Sequence, residues 1–243
     1  MNQTIQLLYR HRSVRRYTDQ HISDALVEEL IEAGQTAASS SFLQAYSVIQ
    51  VTDSEKRAKL AAWCGNQRHV EEAPVFLVFC GDLHKLDLAC QQQETEMKKG
   101  MTELFIVATV DTAIFGQTVL IAAESMGIGG VYVGGIRNHP HEVSELLQLP
   151  AQVYPIFGMS LGYPVQKSER KPRLPRSVVL MKESYQLDPQ VIREYDSTFS
   201  EYLKNRKENP RGETWTQTVA EKLQHEVRPH MRTFLNSRDF LKK

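Results

Sequence analysis

Residues Leu104 to Ala123 form a long, mostly apolar run that constrains the fold more than any other stretch of this chain. The run is about as long as a bilayer span. However, Asp111 stands near its middle, Gln117 follows, and Glu103 and Glu124 flank it. An aspartate at the centre of a bilayer is costly, so the run reads as a buried helix of a globular protein. A helix apolar on most sides needs cover on most sides. Its girth exceeds what one small domain can cover, which points to a second copy of the chain.

Local signals arrange other elements around that helix. Ser23 is a helix N-cap with Asp24 in the first turn. Leu26, Val27, Leu30, Ile31, Gly34 and Ala37 then fall on one helical face, and Ser39-Ser40-Ser41 ends the helix. Ser47 to Thr52 reads as a strand, and Asp53 caps a helix through Trp63. Val75 to Cys80 is a continuous apolar run bounded by Pro74 and Gly81, the pattern of a buried strand. After a polar segment the long helix runs from Thr102 to Met126 and is closed by Gly127. Val131 to Val133 is a short strand, Pro140 to Leu149 a helix, and Tyr154 to Leu161 a strand ended by Gly162-Tyr163-Pro164. This alternation points to an α/β or α+β domain, and 243 residues suffice for a substantial core. From Asp188 onward the chain is mostly helical and more charged, with Pro210-Arg211-Gly212 as a breaker. Residues 1–187 thus read as the core. Residues 188–243 read as a helical extension of the same domain, wrapping it or a partner subunit.

Several function classes lose support. With 29 basic and 29 acidic residues the formal net charge is zero, unlike a general nucleic-acid binder. Cys64, Cys80 and Cys90 form no CxxC pair and read as buried or incidental thiols. Met1-Asn2-Gln3-Thr4 lacks the basic-then-apolar pattern of a secretory signal, so a cytoplasmic protein is expected. No GxGxxG precedes a helix, and GxxxxGK[ST] does not occur. Gly158-Met159-Ser160-Leu161-Gly162 matches GxSxG but lies in and ends the expected strand rather than turning from a strand into a helix, so no nucleophile elbow is formed. Gly127-Ile128-Gly129-Gly130 follows a helix and precedes a strand, the reverse of a dinucleotide-binding turn. His139-Pro140-His141 reads as surface decoration rather than a metal site.

Three segments could carry chemistry. His11-Arg12-Ser13-Val14-Arg15-Arg16-Tyr17 gathers three guanidiniums, an imidazole and a hydroxyl. Arg forks match phosphate oxygens two at a time; equally, the segment could be a solvated basic turn after a first helix. Lys171-Pro172-Arg173-Leu174-Pro175 is a proline-stiffened basic loop or a second part of an anion site. Gly134-Gly135, after Tyr132-Val133, is a strand-ending turn or a place where the backbone approaches a planar ligand. Taken in order, and together with Ser39-Ser40-Ser41-Phe42-Leu43-Gln44, Gly65-Asn66-Gln67 and Ala122 to Val131, these segments resemble the flavin-dependent nitroreductases. The resemblance runs from about Thr4 to Arg228-Pro229. It is to the branch of NADPH-preferring, oxygen-insensitive nitroreductases and NADPH–flavin oxidoreductases.

That resemblance implies an α+β fold with a mixed β-sheet flanked by helices, in an intertwined homodimer with FMN at the subunit interface. It assigns FMN contacts to His11, Arg12, Ser13, Arg15, Ser39, Gln67, Val133, Gly134, Gly135, Lys171 and Arg173. Arg12, Ser13, Lys171 and Arg173 would hold the phosphate, Arg15 would face the pyrimidine edge, Gln67 would bond the ring, and the glycine pair would pass N5. Ser40, Ser41 and Phe42 would line the pocket over the ring. Arg206 and Arg211, on either side of Lys207-Glu208-Asn209-Pro210, would recognise the 2′-phosphate of NADPH. Arg16 takes no role. No side chain need be a nucleophile, because the cofactor carries the chemistry. The implied reaction is hydride transfer from NADPH to nitroaromatics, quinones or flavins. Two rivals are a reductase supplying free reduced FMN and a flavin-binding redox sensor without fast turnover.

Overall fold

Four strands make one sheet in the order β1 (Tyr46–Gln50), β2 (Val75–Asp82), β4 (Val153–Gly162), β3 (Gly129–Val133). The computed structural model describes residues 2–165, 169–206 and 209–243. Its contacts divide the chain into two units, Met1–Ser168 with His230–Lys243, and Glu169–Pro229.

The first unit holds the sheet, with α1 (Gln3–Arg10), α2 (Asp24–Gln35), α3 (Ser54–Trp63), α4 (Arg68–Glu72), α5 (His84–Gln92), α6 (Thr102–Ser125), α7 (Pro140–Leu146) and α11 (Met231–Ser237). The fold is α+β, and its sheet corrects one expectation. All three described pairings are antiparallel, so the sheet is not mixed within these residues. β2 and β3 run the same way, but β4 lies between them and opposes both, so no parallel pair forms.

The caps follow the sequence. Ser23 Oγ accepts from the Leu26 N–H at 3.3 Å, and Asp53 Oδ1 from the Lys56 N–H at 2.8 Å. All of β2 is buried, as its unbroken apolar run requires. α7 stops at Leu146, short of the expected Leu149. Gln148 turns left-handed there with φ 53°, which a helix cannot continue.

α6 packs Phe115, Val119, Leu120 and Ala123 into a core shared with Leu30, Phe79 and Met159. α11 and the residues after it return to this core, where the Phe240 ring meets Tyr154 edge-on at 4.7 Å. Burial of α6 is one-sided, however. Ile106, Val110 and Ile114 share a helical face and remain 47%, 48% and 41% exposed.

The second unit carries α8 (Arg176–Val179), α9 (Pro189–Lys204) and α10 (Trp215–Leu223). Thr214 and Gln217 form a capping box that starts α10. Tyr195 is buried between Phe199 and Trp215.

Candidate functional site

The arginine-rich segment is an extended strap laid along the sheet. Val14 N–H donates to Gly130 O at 2.9 Å, and Thr18 N–H to Tyr163 O at 2.8 Å. Tyr17 Oη donates to Val14 O at 2.6 Å and to Ser160 O at 3.1 Å. Extended backbone alternates its side chains. With Val14 buried, Ser13 and Arg15 are exposed, and His11 and Arg12 are half-buried. His11 Nδ1 lies 2.6 Å from Glu124 Oε1 at the end of α6, which leaves the Nε2 edge to face another group. Arg12 Nε is buried and has no hydrogen-bond partner among the described residues. Arg10, Arg12, Val14, Glu124 and Pro164 help line a cavity of about 430 Å³.

A second set of contacts ties the glycine turn to the loop before α4. A Cβ on Gly135 would lie 2.7 Å from Cys64 O, 2.9 Å from its Cα and 3.0 Å from its Cβ. Only glycine allows that approach. The same Cys64 carbonyl accepts from Gln67 Nε2 at 2.7 Å. Gly134 differs: the atom nearest an added Cβ is Arg137 Nη2, at 3.4 Å. Val133 is buried at the end of β3, just before the turn. His69 is buried, and its Nε2 has no partner among the described residues. Burial, and then the nearby Arg15 guanidinium, push the His69 imidazole below its ordinary pKa. His69 O accepts from Ser160 Oγ at 2.7 Å. Arg15, Gln67, Gly134 and Gly135 therefore belong to one connected region.

The serine loop is anchored elsewhere. Ser40 N–H donates to Asp111 Oδ1 at 2.9 Å and Ala45 N–H to Asp111 Oδ2 at 3.3 Å, while Ser39 Oγ accepts from Gln44 N–H at 3.3 Å. Ser40, Ser41 and Phe42 are all exposed. Asp111 and Glu124 are about 20 Å apart along α6 and on nearly opposite sides of it. Among the described residues, Ser39 to Phe42 are thus not brought against the strap.

Lys171, Arg173, Arg206 and Arg211 belong to the second unit. Tyr195 Oη donates to Pro172 O at 2.9 Å and pins the segment between Lys171 and Arg173. Burial raises the Tyr195 pKa, against the opposing charge of Arg173, so the phenol stays a donor. Lys171, Arg173 and Arg211 are exposed and Arg206 is half-buried. Arg211 N–H donates to Leu203 O at 3.1 Å. Of the segment between these two arginines, Lys207 and Glu208 lie outside the described residues.

Four residues that make these contacts are not among the site residues named from the sequence: Glu124, Asp111, His69 and Tyr195. Two of them could have been found. Asp111 and Glu124 are carboxylates inside or ending an apolar helix, and buried charge requires partners.

Comparison with known proteins covers the chain almost from end to end. The nitroreductase family profile matches residues 8–163, and that of the nitroreductase family C-terminal domain matches residues 171–243. The chain belongs to the nitroreductase family. It is 45% identical to an NADPH-flavin oxidoreductase of Vibrio harveyi over 244 residues, covering 100% of both chains. It is 42% identical to an oxygen-insensitive NADPH nitroreductase of Salmonella typhimurium over 237 residues, covering 97% of each. Among solved structures, nitroreductase A from Vibrio parahaemolyticus superposes with a TM-score of 0.93 at 45% identity, again covering 100% of both chains. Nitroreductase membership accounts for the α+β fold and for the ordered motifs along it.

Proposed function

We propose that this nitroreductase is an NADPH-dependent FMN oxidoreductase that reduces nitroaromatics, quinones or flavins. Its full-length relatives include an NADPH-flavin oxidoreductase and an oxygen-insensitive NADPH nitroreductase. The observation that carries the reading is Arg12: a buried guanidinium nitrogen without a protein acceptor, beside a cavity, in a strap fixed to the sheet. A phosphate oxygen satisfies such a donor. Gly134, open on one side where Gly135 is filled, leaves room for the edge of a flat ring.

Bound FMN supplies the hydride relay between donor and acceptor. Arg12 and Ser13 would neutralise its phosphate by charge-assisted hydrogen bonds, and Lys171 and Arg173 are the further cations that the family resemblance assigns to that phosphate. Glu124 holds the His11 ring so that Nε2 can donate to the same cofactor. Arg15 would face the pyrimidine edge of the ring, where its positive charge would favour reduction. The turn at Gly134 and Gly135 offers backbone N–H groups beside the ring. Gln67 keeps its Oε1 for the ring while Nε2 fixes the loop. Ser39 to Phe42 cover the face that donor and acceptor use in turn. Arg206 and Arg211 select the 2′-phosphate of NADPH.

The protein works as a homodimer. The apolar stripe of Ile106, Val110 and Ile114 needs cover, and the serine loop is anchored about 20 Å along α6 from the His11 anchor. A partner's serine loop would complete each site. Sedimentation showing a stable, flavin-loaded monomer would contradict this. Cys64, Cys80 and Cys90 form no disulfide among the described residues, which suits the reducing cytoplasm.

A second reading, a reductase whose main product is free reduced FMN, is favoured by the relatives named for flavin reduction. Steady-state kinetics with NADPH and NADH against FMN, a quinone and a nitroaromatic separate the readings by catalytic efficiency. Failure to turn over repeatedly with any acceptor would leave a flavin-binding sensor and refute both.

A further inference from the structure

We propose that Asp111 is a positioning residue for the acceptor: its buried carboxylate holds the Ser40–Ala45 loop in the shape that presents Phe42. This rests on the reading of that loop as the cover of the flavin face. Asp111 is 1% exposed in the middle of a mostly apolar helix, a costly place for a charge unless every oxygen is engaged. Its two oxygens take the N–H groups of Ser40 and Ala45, at 2.9 and 3.3 Å, which stand at the two ends of the loop.

Between those ends the backbone is unusual. Ser41, Phe42 and Gln44 have φ of 47°, 59° and 52°, a left-handed region that residues with a Cβ seldom occupy. A loop that merely ended α2 would need none of this. Within the loop, Leu43 N–H bonds Ser40 O at 2.9 Å, and Gln44 N–H reaches Ser39 Oγ at 3.3 Å. These local bonds close the turn but do not tie it to the protein body; Asp111 does. The outcome is Phe42, an aromatic ring left 80% exposed at the tip. A carboxylate can accept from both ends at once. An asparagine accepts at one oxygen and turns an N–H₂ toward the other donor.

The test uses the FMN-loaded protein with NADPH and p-nitrobenzoate. Asp111→Asn should raise KM for p-nitrobenzoate about tenfold, the effect of a lost charged hydrogen bond, while kcat changes far less. Phe42→Ala should raise KM similarly, and the double variant should be no worse than Phe42→Ala alone, because Asp111 acts through the ring it presents. Ser40→Pro removes the same hydrogen bond from the loop side, and should reproduce the KM shift if Asp111→Asn fails to fold. An unchanged KM in both Asp111→Asn and Ser40→Pro, with Phe42→Ala impaired, would overturn the role of Asp111. Additive losses in the double variant would do so as well. An unchanged KM in Phe42→Ala would instead refute the placement of the loop over the flavin face.

Discussion

The two glycines of the turn after β3 should fail in different ways when each gains a methyl group. In Gly135→Ala the new Cβ meets Cys64 O at 2.7 Å and Cys64 Cα at 2.9 Å. Both atoms are backbone, so no rotamer change relieves the clash. Overpacking of this kind costs about 1–3 kcal/mol. At about 2 kcal/mol, the melting temperature of a chain this size falls by roughly 4–8 °C. In Gly134→Ala the nearest atom is the end of the Arg137 side chain, at 3.4 Å, so the apoprotein should melt within about 0.5 kcal/mol of wild type. If the open side of Gly134 borders the flavin ring, the methyl occupies ligand space there. The same overpacking term then weakens FMN binding by roughly five- to 150-fold. Thermal melts of the apoproteins and fluorescence titration with FMN read the two effects separately. A Gly134→Ala protein that binds FMN and turns over like wild type would refute the placement of the ring beside this turn. A Gly135→Ala protein with unchanged melting would refute the packing described at Cys64.

Arg12→Ala should yield largely flavin-free protein after dialysis, since a charged hydrogen bond contributes on the order of 1.5–3 kcal/mol; full flavin retention would show that the phosphate lies elsewhere. Arg206→Ala with Arg211→Ala should lower kcat/KM for NADPH roughly tenfold per residue, mainly through KM, with NADH nearly untouched. An equal loss with both nucleotides would mean that these arginines support the fold instead. Because burial and Arg15 depress the His69 pKa below 6.5, the unfolded chain binds a proton that the folded chain refuses as pH falls through that value. Stability should therefore drop below about pH 6.5, and His69→Gln should flatten that part of the profile in melts at several pH values.

Elements with a local physical cause were legible in the sequence. Ser23 and Asp53 cap helices because their side chains reach the third N–H of the turn. β2 is visible because both of its faces are covered. The short helices α4 and α5 lack such periodicity and were not visible. Sheet direction was not legible either, since antiparallel pairing here depends on β4 entering between β2 and β3 from far along the chain. For the site, the ordered motifs named the residues, but not what holds them. The His11–Glu124 pair, the packing of Gly135 on Cys64 and the grip of Asp111 on the serine loop all join remote segments. Periodicity and spacing carry no trace of such contacts.

The most direct test of the central claim is an anaerobic titration of the purified, flavin-loaded protein with NADPH, followed by a nitroaromatic or quinone. The account predicts that one equivalent of NADPH bleaches the visible absorption of bound FMN, and that the acceptor restores it without NADPH present, at rates no slower than steady-state turnover. Bound flavin that stays oxidised with NADPH, or is reduced more slowly than the protein turns over, would contradict it.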